Sequence, residues 1–330
     1  MILKTNGSLW AVGRNDFGEL GDGTSVDKVN PVEILSSGVS QVSAGVYHSL
    51  ILKNDGSLWA TGDNWYGQLG DGTSVDKVNP VEILSSGVSQ VSAGAYHSLI
   101  LKNDGSLWAT GKNGSGQLGD GTQIDKTSLV EILSSGVSQI SAGAHHSLIL
   151  KSDGSLWATG SNFNGQLGDG TYESQNVPVE ILSSGVSQIS AGDHHSLIIK
   201  NDGSLWGAGF NAAGQLGVGT TEERYILVEI LSSGVSQISA GSYHSLISKT
   251  DGSLWATGRN FYGQLGDGTY LDSYSPVEIL SSGVSQVSAG DSHSLFIKND
   301  GSSWATGSNL NGKLGNGVSL IELTPVEVEF

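Results

Sequence analysis

Cysteine is missing altogether from this 330-residue chain, which excludes disulfides and thiolate-bound metals but leaves the compartment open. Charge is sparse, and cations are the scarcer sign. Against 32 Asp and Glu stand 15 Lys and Arg, a net charge of −17. Such a balance repels polyanions. No basic stripe offsets it, so neither nucleic acid nor a membrane is expected as a partner. No apolar run reaches the 18 residues of a membrane span. Met1-Ile2-Leu3-Lys4 does not open a signal peptide, because Gly7 and Ser8 interrupt the apolar stretch. No segment sustains a 3.6-residue apolar period, and glycine is never far away, which argues against helices.

What is present is repetition. Trp recurs every 49 residues, at Trp10, Trp59, Trp108, Trp157, Trp206, Trp255 and Trp304, and a His follows the same step from His48 to His293. One unit, from Gln41, predicts four short strands: Gln41 to Ala44, His48 to Lys53, Ser57 to Thr61 and Val81 to Leu84. Asn54-Asp55-Gly56 is a hairpin signal. Pro80 is placed at the start of the fourth strand, where a missing N–H is tolerated. Leu50-Ile51-Leu52 is apolar on both faces, as in a strand covered on both sides. The small residues Ser43-Ala44-Gly45 suit an innermost strand. Seven such units without capping units predict an all-β fold, a single closed seven-bladed propeller over residues 1–330. Thirteen residues, 282–294, have no seventh counterpart. One blade is therefore expected a strand short, with Met1–Lys4 pairing in the last blade or in its own. A fragment of a longer repeat array is the other reading.

The run Gly-Ser-Leu-Trp-Ala-Thr-Gly, then Asn-x-x-Gly-Gln-Leu-Gly, then Ala-Gly-x-x-His-Ser-Leu resembles the regulator of chromosome condensation repeat. Gly-Gln-Leu-Gly is intact at Gly67–Gly70, Gly116–Gly119, Gly165–Gly168, Gly214–Gly217 and Gly263–Gly266. Glu19 and Lys313 replace the Gln in the outer copies. The resemblance spans nearly the whole chain and implies a seven-bladed propeller. For function it implies three roles. The founding member's nucleotide exchange on the GTPase Ran relies on an inserted wedge and a basic tail, which the uniform unit lacks. Ultraviolet-B photoreceptors of the family use clustered Trp. Here Val12, Thr61, Thr110, Thr159, Ala208, Thr257 and Thr306 stand where the family often has Trp, which argues against light sensing. The third role, a non-catalytic interaction platform, is the one expected.

Recurrent polar residues suggest chemistry that their spacing opposes. Six equivalent His are spread around a ring, whereas metal ligands must converge on one ion, so hydrogen bonding inside each blade is expected. The pairs His145-His146 and His194-His195 should point opposite ways. Gly70-Asp71-Gly72-Thr73 has one carboxylate and no following helix, so a tight turn is expected rather than a calcium or phosphate loop. Glu33, Glu82, Glu131, Glu180, Glu229, Glu278 and Glu327 fit edge protection of the fourth strand. No catalytic residue, metal ligand or cofactor is assigned.

The units differ mainly in three windows, all expected to be loops. They are the x-x of Asn-x-x-Gly, the pair before each repeat His, and the segment after Asp-Gly-Thr. The first is rich in aromatic residues, Phe17, Trp65, Tyr66, Phe163, Phe261 and Tyr262, and the second contributes Tyr47, Tyr96 and Tyr243. Aromatics on loops of a rigid scaffold are the usual anchors of binding surfaces. The expected function is a scaffold binding an unidentified protein partner. A lectin-like module stacking these rings on a glycan is the alternative. A monomer is expected, and an unpaired strand edge would also permit a strand-swapped oligomer.

Overall fold

Leu50, Ile51 and Leu52 are all buried, as a two-sided apolar strand requires. The computed structural model describes residues 1–329. It is all-β apart from one short 3-10 turn at Leu310–Gly312, and its sheets form a seven-bladed propeller. Blade 1 has three strands, β1 (Ile2–Leu3), β2 (Leu9–Gly13) and β3 (Lys28–Leu35). Blade 2 has four: β4 (Val39–Ala44), β5 (His48–Lys53), β6 (Leu58–Gly62) and β7 (Lys77–Leu84). Blade 3 begins with β8 (Val88–Ala93) and β9 (His97–Lys102), and the four-stranded pattern continues through blades 3 to 7. Met1–Lys4 thus pairs in its own blade, with Ile2 opposite Trp10 and Leu3 opposite Leu9.

The chain divides into two compact units. The first is Met1–Asp153 with Trp157–Ser161 and Ser174–Val179; the second is Gly154–Leu156, Asn162–Glu173 and Glu180–Phe330. Inside each unit the core lies between consecutive blades. Leu50, Leu52, Leu58 and Leu69 of blade 2 pack with Val88, Val91 and Ile100 of blade 3. Each such side chain contributes about 1.5–3 kcal/mol on burial, so a blade depends on its neighbour.

First strands are innermost, as their small residues suggest: Gln41 of β4 bonds both backbone groups of Val91 in β8. The fourth strand departs from expectation. It begins at Lys77, so Pro80 lies within it. Lys77 pairs with Gly62 and Val81 with Ala60, and the shift between them is a bulge on the outer edge. A bulged edge strand accommodates a residue with no N–H. Glu82 pairs with Trp59 on that exposed edge.

Candidate binding face

In an antiparallel blade the first hairpin and the connection from third to fourth strand leave the same end. The three variable windows therefore share one end of each blade. The long connection there is pinned from inside. Asn64 is fully buried; its amide donates to Asp71 Oδ1 at 2.9 Å and to the Thr73 carbonyl at 3.1 Å, and its own carbonyl accepts from Leu69 N–H at 3.0 Å. Asp71 also accepts the Thr73 N–H and pairs with Lys77 at 2.9 Å. Burial alone would raise the Asp71 pKa, but Lys77, Thr73 and Asn64 more than offset it and hold the carboxyl at about 2. The expected tight turn is thus one part of a larger hydrogen-bonded loop. The third window only partly follows expectation: its last residues, such as Lys77–Asn79, belong to the fourth strand, because the bulge extends pairing back to Gly62.

Each pinned loop also clasps the next blade. Thr61 Oγ1 donates to the Gly18 carbonyl, and Thr110 repeats the contact to Gly67, both at 2.9 Å. Thr at this position thus bridges neighbouring blades through its hydroxyl. The repeat His bridges them too, rather than bonding inside its own blade. His48 Nε2 lies 2.8 Å from Ser98 Oγ of blade 3. The single Ser98 hydroxyl hydrogen goes to the Gln68 carbonyl at 2.7 Å, so Ser98 accepts from His48 and Nε2 carries the imidazole proton. A serine side chain has no second hydrogen to give. His97 and His244 repeat the contact, to Ser147 and Ser294.

On this base the aromatic candidates fall into two layers. Phe17, Tyr47, Tyr66 and Tyr96 pack together. Tyr47 stacks on Tyr96 at 5.2 Å, and Phe17 and Tyr66 meet them edge-on at 5.7 and 5.5 Å. Arg14 lies 4.8 Å over Tyr47, and Lys112 4.9 Å over Tyr96. Burial in this stack, with the Tyr47 hydroxyl beyond it, pushes Tyr96 up to about 12. In the second unit His194, Phe210 and Tyr243 pack about 6 Å apart, within the usual spacing of aromatic pairs, with Arg259 over Tyr243. Tyr262 sits edge-on to Phe261 at 5.0 Å. The second layer stands free: Trp65, Phe163 and Phe261 are 75%, 74% and 60% exposed. All three occupy the first x of Asn-x-x-Gly, and the half-buried candidates Phe17, Tyr66 and Tyr262 occupy the second.

The whole chain matches one domain family, the RCC1-like domain, in two overlapping stretches, residues 1–231 and 137–330. The chain belongs to that family. No curated protein sequence matches it. Among solved structures, human WBSCR16 is similar at 24% identity and a TM-score of 0.88, over 98% of this chain and 93% of that one. Yeast RCC1 (Prp20), solved bound to Kap60, is similar at 20% identity and 0.87, over 100% and 85%. A second structure of the same protein, Prp20p from Saccharomyces cerevisiae, described with its binding properties to Gsp1p and histones, is similar at 21% and 0.85, over 100% and 88%. These likenesses are of fold.

Two features of this RCC1-like propeller escaped the sequence reading. One is a column of exposed aliphatic side chains in the third window, Val26, Val75, Ile124, Leu271 and Leu320, with Glu173 and Glu222 at the same step in blades 4 and 5. The 49-residue alignment held that signal in a segment read only as variable. The other is at the opposite end of each blade, where the Lys closing the second strand covers the repeat Trp, as Lys53 does Trp59 at 3.7 Å and Lys200 does Trp206 at 3.6 Å. Of the paired histidines, His146 and His195 are buried, while His145 and His194 join the aromatic layer. Among the described residues no three His, Asp or Glu gather as a metal site.

Proposed function

We propose that this RCC1-like propeller is a non-catalytic scaffold that binds a protein partner through the loop end of its blades. The observation that carries the reading is the pairing of exposed Trp65, Phe163 and Phe261 with loops held by the buried Asn64, Asn162 and Asn260. Large rings on a preformed support lose little conformational entropy on binding, which is what anchor residues require. The aliphatic column beside them adds apolar area, and the net charge of −17 favours a basic partner. Yeast Prp20, solved bound to Kap60 and with binding properties to Gsp1p and histones, is a protein binder on the same fold.

The test is a pull-down from source-cell lysate with the native chain and a Trp65→Ala, Phe163→Ala, Phe261→Ala variant. These side chains face solvent, so the melting temperature should hold. Capture of a defined partner by the native chain and its loss by the variant supports the reading. Equal capture by both, or none, refutes it. The same proteins on a glycan array test the carbohydrate alternative, and nucleotide release from a GTPase panel tests an exchange activity.

A further inference from the structure

Tyrosine enters the third window only in blades 4 to 6, as Tyr172, Tyr225, Tyr270 and Tyr274. The charge of the window changes with it. In blades 1 to 3 it holds one Asp and one Lys, as Asp76 and Lys77 do in blade 2, and is neutral. That Lys pairs with the Asp of the preceding turn at 2.9 to 3.0 Å. In blades 4 and 6 Gln175 and Ser273 stand in the place of the Lys, leaving Glu173 and Asp272 as the window's only charges. Blade 5 sets Glu222 and Glu223 against Arg224. Each of these three windows therefore carries −1.

Within the second unit the four rings are at the surface, 44% to 55% exposed, on a fixed support. The Tyr225 carbonyl accepts from Gly170 N–H at 2.9 Å and the Tyr274 carbonyl from Gly219 N–H at 2.7 Å, so each backbone is tied to the turn of the preceding blade. Tyr172 and Tyr225 meet at 5.3 Å with their planes tilted by 46°. Carboxylates neighbour this pair along the chain. Glu173 follows Tyr172 and is exposed. Glu223, two residues before Tyr225, is steadied by Asn164, which donates to it at 3.2 Å. Arg224 is held by Glu222 at 3.0 Å. What the rings lack is a cation. In the inner aromatic layer Arg14 covers Tyr47, Lys112 covers Tyr66 and Tyr96, and Arg259 covers Tyr243, whereas among the described residues no Lys or Arg lies over the four rim tyrosines.

We infer that this tyrosine rim binds an extended, arginine-rich segment of a protein partner, with one guanidinium over the Tyr172–Tyr225 pair. The inference rests on the loop end being a protein-binding face and adds which part of that face takes a basic segment. A ring face attracts a cation, more strongly as water is displaced. Guanidinium suits the site because it lies flat on a ring while its N–H groups fork to a carboxylate. The chain builds that arrangement for itself elsewhere: Arg14 lies 4.8 Å over Tyr47 and bonds Asp16 at 2.7 Å. At the rim the rings and the carboxylates Glu173 and Glu223 are in place, and the guanidinium is what the partner brings. The lysines that would repel such a segment belong to the windows of blades 1 to 3.

The test uses the full chain and a fluorescein-labelled alternating Gly-Arg peptide, with Gly-Lys and Gly-Glu peptides beside it, followed by anisotropy at physiological ionic strength. The expected result is saturable binding of the Arg peptide, weaker binding of the Lys peptide and none of the Glu peptide. Tyr172→Leu with Tyr225→Leu keeps the charge and the apolar bulk but removes the rings, and should weaken binding about tenfold. Glu173→Gln with Glu223→Gln should do the same with the rings intact. A photo-crosslinking Arg peptide on the unsubstituted chain, which needs no variant to fold, should label residues 163–173, 221–226 or 270–275. Absence of saturable binding, equal binding of the Arg and Lys peptides, indifference to loss of the rings, or labelling confined to other residues would each overturn the inference. Partner capture that depends on Trp65, Phe163 and Phe261, found together with any of these results, would leave the loop-face reading standing while this site falls. Ring-dependent peptide binding without such capture would do the reverse.

Discussion

His48 is neutral in the folded chain because it is fully enclosed, and burial holds its pKa down at about 3; His97 and His293 are held at about 3 and His244 at about 4 for the same reason. An imidazole in the unfolded chain titrates near 6.5. The folded value is the lower one, so the unfolded state takes up protons first. The stabilisation is complete above about pH 6.5 and is lost as pH falls toward the folded values. Each such His costs about a tenfold factor in the folding equilibrium per pH unit across that window. The melting temperature should therefore fall steeply from pH 6.5 to 4, and His97→Asn should flatten the slope; a flat profile in the native chain would contradict the burial argument. Asp22 and Asp71, held at about 2, act lower: their contribution is present above about pH 4 and is lost between pH 4 and 2. Ser98→Ala, which leaves the buried His48 N–H without an acceptor, should cost about 1–3 kcal/mol in denaturant titration.

At the scale of the element, the Gly-Gln-Leu-Gly turn serves the contact between blades. Gly67 has φ +80°, and a methyl group there would run into the Cα of Thr127 in the next blade. Gly87 has φ +88° but nothing within 4 Å of the same position. Gly87→Ala should then cost only the left-handed backbone penalty, about 1–2 kcal/mol. Gly67→Ala adds overpacking of about 1–3 kcal/mol and should be clearly the less stable of the two by urea denaturation. Equal losses would mean that the turn yields without disturbing blade 3. The Gly67 requirement was legible as a recurrent motif, but its cause was not, since Thr127 lies 60 residues further along the chain.

At the scale of the whole molecule, near-identical units carry non-identical surfaces. Replacing the three exposed rings should change stability by no more than about 0.5 kcal/mol per site, as for surface sites generally, while removing partner capture. If a basic partner is held partly by the −17 charge, capture should also weaken as salt rises, because exposed charges separated by more than about 8 Å are screened at physiological ionic strength. A salt-independent capture would place the affinity in the apolar anchors alone.

Strand order, repeat length, the hairpin at Asn54-Asp55-Gly56 and the span of β5 were all readable from the chain, because they rest on local periodicity and turn chemistry. So was the shortage of one strand, which is a matter of counting residues against the period. What the linear order could not settle is which groups meet across blades. His48 was expected to bond within its own blade and instead reaches Ser98 in the next, 50 residues away. Phe17 and Trp65 looked alike as loop aromatics, yet one is packed and the other exposed, because the second x of Asn-x-x-Gly turns toward the neighbouring Tyr and the first turns outward. The identical strands β4 and β8 make the same point most directly: their sequence determines that each forms a strand, while exposure depends on whether another strand lies alongside, and only the tertiary structure decides that.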